Sequence, residues 1–124
     1  MKNPVGWFEI PVTNMDRAKQ FYESIFKIEI SVQDFGNLQM GWFPNDMDAP
    51  GASGTLIKNE AYVPSYEGTM IYFSVEEIDD VTPGIEPAGG KIINKKQSIG
   101  DYGFVAHFED TEGNRVALHQ VPDK

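Results

Sequence analysis

Three side chains of this 124-residue sequence have the chemistry of acid/base groups on strand faces: Glu9, Tyr72 and His119. Glu9 lies two residues after Trp7, so alternation along a β-strand puts both on one face, opposite the apolar residues of that strand. A buried carboxylate needs a partner, because burial without one raises its pKa. The sequence therefore predicts a catalytic group in which Glu9 acts with His119 or Tyr72 as general acid and base. A purely structural pair, or a half-exposed Glu9 at a pocket mouth, is left open.

Large aromatic side chains with a few polar groups form a second set, which is typical of a small-molecule site. Tryptophan, tyrosine, glutamate and histidine fall on one set of strand faces, whereas aliphatic residues fall on the other. Plain core packing of these rings is the alternative, but a purely hydrophobic core rarely mixes residue types in this way. The predicted ligand-binding residues are Trp7, Trp42, Met70, Phe104 and His107.

The composition limits the partners. Nineteen acidic residues against ten basic ones give a net charge of −9, which opposes binding to the phosphates of nucleic acid. No segment approaches the roughly 18 consecutive apolar residues of a membrane span, so no membrane partner is expected. The first residues also lack the apolar stretch of a secretory signal, and we expect a cytoplasmic protein. The absence of cysteine excludes disulfides, thiolate metal sites and cysteine nucleophiles.

An internal repeat organises the chain. With an offset of 63 residues, WFEIPVTNMD (7–16) aligns with MIYFSVEEID (70–79), and GTLIKN (54–59) aligns with ALHQVP (117–122). The match is one of pattern, because an alternating strand, a polar corner, a helical periodicity and a closing strand recur in the same order. We predict a single domain over 1–124 whose internal modules cover about 1–58 and 66–124.

Each half has the predicted order βαβββ, which makes the fold class α+β. In the first half, Thr13 or Asn14 can cap a helix whose apolar residues recur at helical spacing. In the second half, Pro83 removes a backbone donor from the corresponding segment, so we expect a short or kinked helix there. Gly89 and Gly90 are expected to end it.

Two stretches resemble the vicinal oxygen chelate superfamily, which contains glyoxalase I, extradiol dioxygenases, fosfomycin-resistance enzymes and bleomycin-binding proteins. VTNMDRAKQFYESIF (12–26) is similar to the strand-to-helix corner of that family, and FEDTEGNRVALHQ (108–120) is similar to its closing hairpin. The resemblance implies two βαβββ modules whose curled mixed sheets enclose a cavity, either within one chain or across a homodimer. GGKIINKKQSIGDYGFVAHFEDTEGN (89–114) also looks like a glyoxalase-related subgroup.

In metal-using members of that family, histidine and glutamate ligands come from the first and last strands of each module. The matching positions here, as the resemblance implies them, are Trp7, Gly54, Met70 and Ala117. None suits a hard divalent cation, because an indole only donates, a thioether is soft, and glycine and alanine have no ligand atom. We therefore predict no metal and no other cofactor.

Three functions remain open. The first is a protein that binds and sequesters a small organic ligand, neutral or cationic, in a metal-free cavity, as the bleomycin-binding members do. The second is a small-molecule lyase or isomerase, related to lactoylglutathione lyase, that uses Glu9 with His119 or Tyr72. The third is a structural role with a filled cavity. The expected partners are a small-molecule ligand and a second copy of the chain.

Overall fold

The computed structural model describes residues 3–122, which form two modules of like topology. The first contains β1 (Phe8–Pro11), α1 (Met15–Phe26), β2 (Ser31–Asp34), β3 (Gln39–Trp42) and β4 (Gly54–Lys58). The second contains β5 (Tyr72–Ser74), β6 (Lys91–Ser98), β7 (Phe104–Glu109) and β8 (Arg115–Gln120), with 3₁₀ turns at Ile78–Asp80, Thr82–Gly84 and Gly100–Tyr102. The sheet orders β1-β4-β3-β2 and β5-β8-β7-β6 are equivalent, and the predicted α+β fold of two such modules is confirmed.

Helix α1 begins where the sequence predicts. Of the two candidate caps, Asn14 is the one used, because its side-chain oxygen accepts a hydrogen bond of 3.0 Å from the backbone N–H of Arg17. The helix ends after 12 residues, where Lys27 adopts a left-handed conformation with φ of 55°. No helix within residues 3–122 has the length and apolarity needed to cross a bilayer.

The corresponding segment of the second module, predicted as a short or kinked helix, is short and has 3₁₀ geometry. It forms the two 3₁₀ turns Ile78–Asp80 and Thr82–Gly84 and contains no α-helix. Pro83 lacks the backbone N–H that would continue a helical ladder, which explains why only single turns form. The first turn is fixed to the sheet because the backbone N–H of Ile78 donates to Gln120 Oε1 at 2.7 Å.

One hydrophobic core joins the modules. It contains Ile10 and Leu56 from the first sheet, Phe108 and Leu118 from the second, and Phe21 from α1. The rings of Phe21 and Phe108 have centroids 6.0 Å apart, so α1 contacts the sheet of the other module directly. Each sheet turns an apolar face to this core, and no strand of one sheet is hydrogen-bonded to a strand of the other among residues 3–122. The sheets do not close around a cavity within one chain.

The turn between β7 and β8 fastens the second module to the first. Asp110 is buried and accepts hydrogen bonds from the hydroxyl of Tyr22 in α1 (2.7 Å) and from the side chain of Asn114 (3.0 Å). Asn114 also donates to the carbonyl oxygen of Pro11 in β1, at 2.7 Å. The stretch FEDTEGN (108–114), part of the sequence that resembles the family, therefore holds the two modules together by hydrogen bonds.

Candidate functional site

The candidate site is built on the open face of each sheet, which is the face turned away from the shared core. On the first sheet, strand register places Glu9 opposite Thr55, and Thr55 opposite Trp42. Trp7 packs edge-on against Trp42, with ring centroids 5.1 Å apart. The two indoles are 38% and 36% exposed, so this open face presents an aromatic and acidic surface.

The strand register around Thr55 changes the alignment of the two modules. Glu9 pairs with Thr55 in the first sheet, and Tyr72 pairs with Ala117 in the second, so the offset between last strands is 62 residues and not 63. The interpretation that Gly54 matches Ala117 is therefore wrong by one residue. Gly54 pairs with Phe8 on the core side, where an added Cβ would lie 2.2 Å from the Phe8 carbonyl oxygen.

The hydroxyl group of Thr55 is buried without a hydrogen-bond partner among the described residues. Thr55 is completely buried, and its Oγ1 is a buried side-chain oxygen that has no hydrogen-bond partner within the described part of the chain. An unpaired buried hydroxyl costs free energy, because it gives up its hydrogen bonds to water without replacing them. This hydroxyl lies in the row between Glu9 and Trp42.

Glu9 has a partner that sequence analysis did not predict. Its charge, and a hydrogen bond to its carboxylate, raise the pKa of the Tyr62 hydroxyl. Tyr62 belongs to the segment between β4 and β5, so this linking segment brings a tyrosine side chain to Glu9. The structure thus places Glu9 with Tyr62, and no hydrogen bond between Glu9 and His119 is found among residues 3–122.

The open face of the second sheet carries a chain of polar side chains, Asn94, His107 and Tyr72. His107 Nδ1 lies 3.4 Å from Asn94 Nδ2, and His107 Nε2 lies 3.3 Å from the Tyr72 hydroxyl. An amide nitrogen only donates, so Nδ1 is the acceptor, and a neutral His107 carries its proton on Nε2 and donates it to the tyrosine oxygen. The hydroxyl proton of Tyr72 is then free for a ligand.

The environment of His107 favours this neutral form. Burial lowers the pKa of His107, and the positive charge of Arg115 lowers it further. Tyr72 itself is 48% exposed, so its hydroxyl is accessible from outside the chain. Met70 lies two residues before Tyr72, ahead of β5, and is partly buried.

The remaining predicted site residues have other surroundings. His119 shares the open face of the second sheet, where it lies opposite Ser74, and its Nε2 donates to the carbonyl oxygen of Tyr102 at 2.7 Å. Phe104 lies on the other side of β7 from His107, packs against the shared core, and has Lys96 Nζ 4.7 Å from its ring centroid. Phe104 therefore does not share a face with the polar chain.

The donor set does not fit a resident divalent metal. With Thr55 in place of Gly54, the four matching positions are Trp7, Thr55, Met70 and Ala117. They offer one neutral hydroxyl oxygen and one soft thioether, which is too few hard ligands for such an ion. Across residues 3–122, no three His, Asp or Glu side chains meet as possible metal ligands.

The fold and the two open faces define a class of glyoxalase-like βαβββ proteins. The family model described as Glyoxalase/Bleomycin resistance protein/Dioxygenase superfamily matches residues 5–118. The chain belongs to this superfamily.

Individual relatives agree with this assignment. The chain is 26% identical to the protein CFP32 of Mycobacterium bovis over 94% of its length, but it spans about half of that relative (45%). It is also 26% identical to a glyoxylase-like domain-containing protein from Didymella fabae, covering 97% of this chain and 95% of that one. The solved structure of TnmS3, an antibiotic binding protein from Streptomyces sp. CB03234, has the same fold, with a TM-score of 0.71, 19% identity and coverage of 96% of each chain.

Proposed function

We propose that this protein binds a small organic ligand on its open faces without a resident metal, and sequesters it. The observation that carries the proposal is the chain from Asn94 through His107 to Tyr72, because it leaves an exposed hydroxyl proton on Tyr72. A half-exposed phenol that a histidine hydrogen bond holds in one orientation is a typical polar anchor in a small-molecule site. The similarity in fold to TnmS3, which is an antibiotic binding protein, supports this kind of function.

The same proposal includes a homodimer. Within one chain the aromatic and acidic face of the first sheet and the polar face of the second do not form a closed site. We propose that the open face carrying Trp7, Trp42 and Glu9 in one copy covers the open face carrying Tyr72 and His107 in the other. A two-fold symmetric pair would then contain two identical sites and cover the exposed aromatic residues.

Tryptophan fluorescence tests this proposal, because the sequence contains two tryptophans and both lie on the first open face. Metal-free bleomycin, to which some members of the superfamily confer resistance, is a suitable first probe. We expect saturable quenching of the Trp7 and Trp42 emission, and weaker binding by Y72F and H107A. Y102F is the matched control, since only the backbone carbonyl of Tyr102 is used, by His119. Undiminished binding by Y72F and H107A would contradict the site.

Metal analysis and sedimentation test the other two parts of the proposal. Protein purified without chelator should contain no stoichiometric zinc, nickel, iron or manganese. Sedimentation should show a dimer that W42R dissociates, because the new charge would be placed in the buried interface. A stoichiometric metal that is lost in H107A, or a monomer at every concentration, would refute the corresponding part.

A second candidate function is a metal-independent lyase or isomerase. The neutral imidazole of His107 beside the Tyr72 hydroxyl favours it, because a phenol that accepts from a histidine can donate its own proton to a substrate oxygen. The predicted group of Glu9 with His119 or Tyr72 remains part of this proposal. Formation of S-lactoylglutathione by the wild type, abolished in Y72F but retained in Y102F, would establish it; no turnover would leave binding as the function.

A further inference from the structure

A cavity of about 480 Å³ lies at the seam between the two modules. It contains Phe8 from β1, Phe26 from the end of α1, Phe43 from the residue after β3, and Phe73 from β5. Phe73 is the central ring, since its centroid is 4.7 Å from Phe26, 5.5 Å from Phe43 and 5.7 Å from Phe8. We call this cavity the seam pocket.

The aromatic walls of the seam pocket face away from the open faces. Phe8 and Glu9 are neighbours in β1 and point to opposite sides of the first sheet, and Phe73 and Tyr72 do the same in the second. The four phenylalanines therefore lie on the core side of both sheets, and Ser74, at the end of β5, also lines the pocket. Its phenyl rings also belong to or pack against the shared core.

The rim of the seam pocket is acidic. Glu76, Glu77 and Asp80 line it, all three are exposed, and no lysine, arginine or histidine is among the lining residues. Their neighbour Asp79 pairs with Lys96 at 3.1 Å, whereas these three form no ion pair with a residue of the described range 3–122. Three carboxylates at one mouth repel one another, and a bound cation would relieve that repulsion.

The walls and the rim select the same kind of ligand. The faces of phenyl rings carry partial negative charge and attract an ammonium group, while their area favours an apolar body. The volume falls within the range of small-molecule sites, which is about 300–1,000 Å³. We propose that the seam pocket binds a small organic cation, with an aromatic or other apolar body against the four phenylalanines and a protonated amine at the three carboxylates.

NMR titration with protonated 2-phenylethylamine tests this proposal on the whole chain at pH 7. We expect saturable shifts of the backbone amides of Ser53, Glu77 and Val81, which line the pocket, and none at Thr55 or His107 on the open faces. The neutral isostere 2-phenylethanol should bind about tenfold more weakly, since it lacks the charge. Shifts confined to the open faces, or equal affinity for both probes, would overturn the proposal.

Variants separate the rim and the pocket from general charge effects. E76Q/E77Q/D80N should weaken amine binding at least about tenfold. E29Q/E86Q/D101N is the matched control, because it removes the same charge from exposed positions that do not line the pocket. A52W should also block binding, because Ala52 is an exposed loop residue on the pocket wall. Equal weakening by both triple variants, or unchanged binding by A52W, would refute the site.

The test of amine binding at the seam pocket is independent of the ligand binding proposed for the open faces. None of these variants changes an open-face residue, and Y72F or H107A should leave amine binding at the seam pocket unaltered. Loss of amine binding in Y72F would therefore show that the amine binds at the open face, and would contradict binding in the seam pocket.

Discussion

Arg17 Nε lies 2.7 Å from Glu112 Oε2, and this ion pair joins the first turn of α1 to the turn that precedes β8. The other carboxylate oxygen of Glu112 accepts the backbone N–H groups of Thr13 (2.9 Å) and Asn14 (2.8 Å). The Glu112 side chain is fully shielded from solvent, so a single carboxylate of the second module satisfies donors at the start of the helix of the first.

The first prediction concerns the pH dependence of this contact. Burial opposes ionisation of Glu112, but hydrogen bonds from Arg17 and from the amides of Asn14 and Thr13 outweigh it and lower its pKa to about 2. A carboxyl group with a lowered folded-state pKa stabilises the protein above its unfolded pKa and loses that contribution as the pH falls toward the folded value. We expect E112Q to lower the free energy of unfolding by about 2 kcal/mol at pH 7.

Urea unfolding from pH 7 down to pH 2 measures this effect. The difference between E112Q and the wild type should shrink steadily below about pH 5, since protonation of the wild-type carboxyl makes the two alike. E29Q, at an exposed position, should match the wild type throughout. A difference that stays constant with pH would mean that the charge of Glu112 does not stabilise the fold.

The second prediction concerns the buried hydroxyl of Tyr22. Burial, with the charge of Asp110, raises the pKa of Tyr22 well above its usual range, so the phenol stays protonated and donates to Asp110. Y22F keeps the ring packing and leaves the carboxylate one donor short, which should cost about 1–3 kcal/mol of unfolding free energy. Y102F, at an exposed ring, is the control for urea unfolding, and equal stability of the two variants would disprove the role of this bond.

The third prediction concerns the unpaired hydroxyl of Thr55. T55V replaces it by a methyl group of the same shape, so the variant should be more stable by about 1 kcal/mol. T111V is the matched comparison, because Thr111 Oγ1 donates to Glu112 at 3.0 Å and its loss should destabilise. Thermal unfolding of both variants gives the sign of each change; a destabilised T55V would indicate that its hydroxyl is paired in solution.

The fourth prediction concerns His107. Burial and then the charge of Arg115 lower its pKa, so it should titrate below the ordinary histidine value of about 6.5 in a proton NMR titration. R115Q should raise that pKa, since it removes the positive charge. The sequence contains two histidines, and H119A assigns the two signals. An unchanged His107 titration in R115Q would show that Arg115 does not contribute.

Local patterns in the sequence predicted the order of the strands and the position of α1. Alternation gave the faces of β1 and β5, and a polar residue followed by helical spacing located α1. The replacement of the second helix by 3₁₀ turns follows from Pro83, but its extent depends on packing that no local pattern contains. Fold prediction therefore succeeded wherever the signal was local.

The candidate site could be predicted only in part, because its contacts depend on register and on the linking segment. Gly54 was matched to Ala117, whereas the structure matches Thr55 to Ala117. The error of one residue arose because repeats whose loops differ slightly in length look alike in sequence. Asn94 was missed because β6 pairs with β7 through two irregularities of register, so alternation does not give its face. Tyr62 meets Glu9 across a turn-rich segment for which the sequence offers no periodic signal.

The core that both modules share has a consequence for how such a chain can arise and be divided. A fragment covering 1–58 would expose Phe21, and a fragment covering 66–124 would expose Phe108, where each now covers the other. Neither half is expected to fold alone in water. An ancestral protein with a single module would therefore have had to form a dimer before it could be selected for ligand binding. Cutting the gene between the halves should yield pieces that recover a native structure only when mixed.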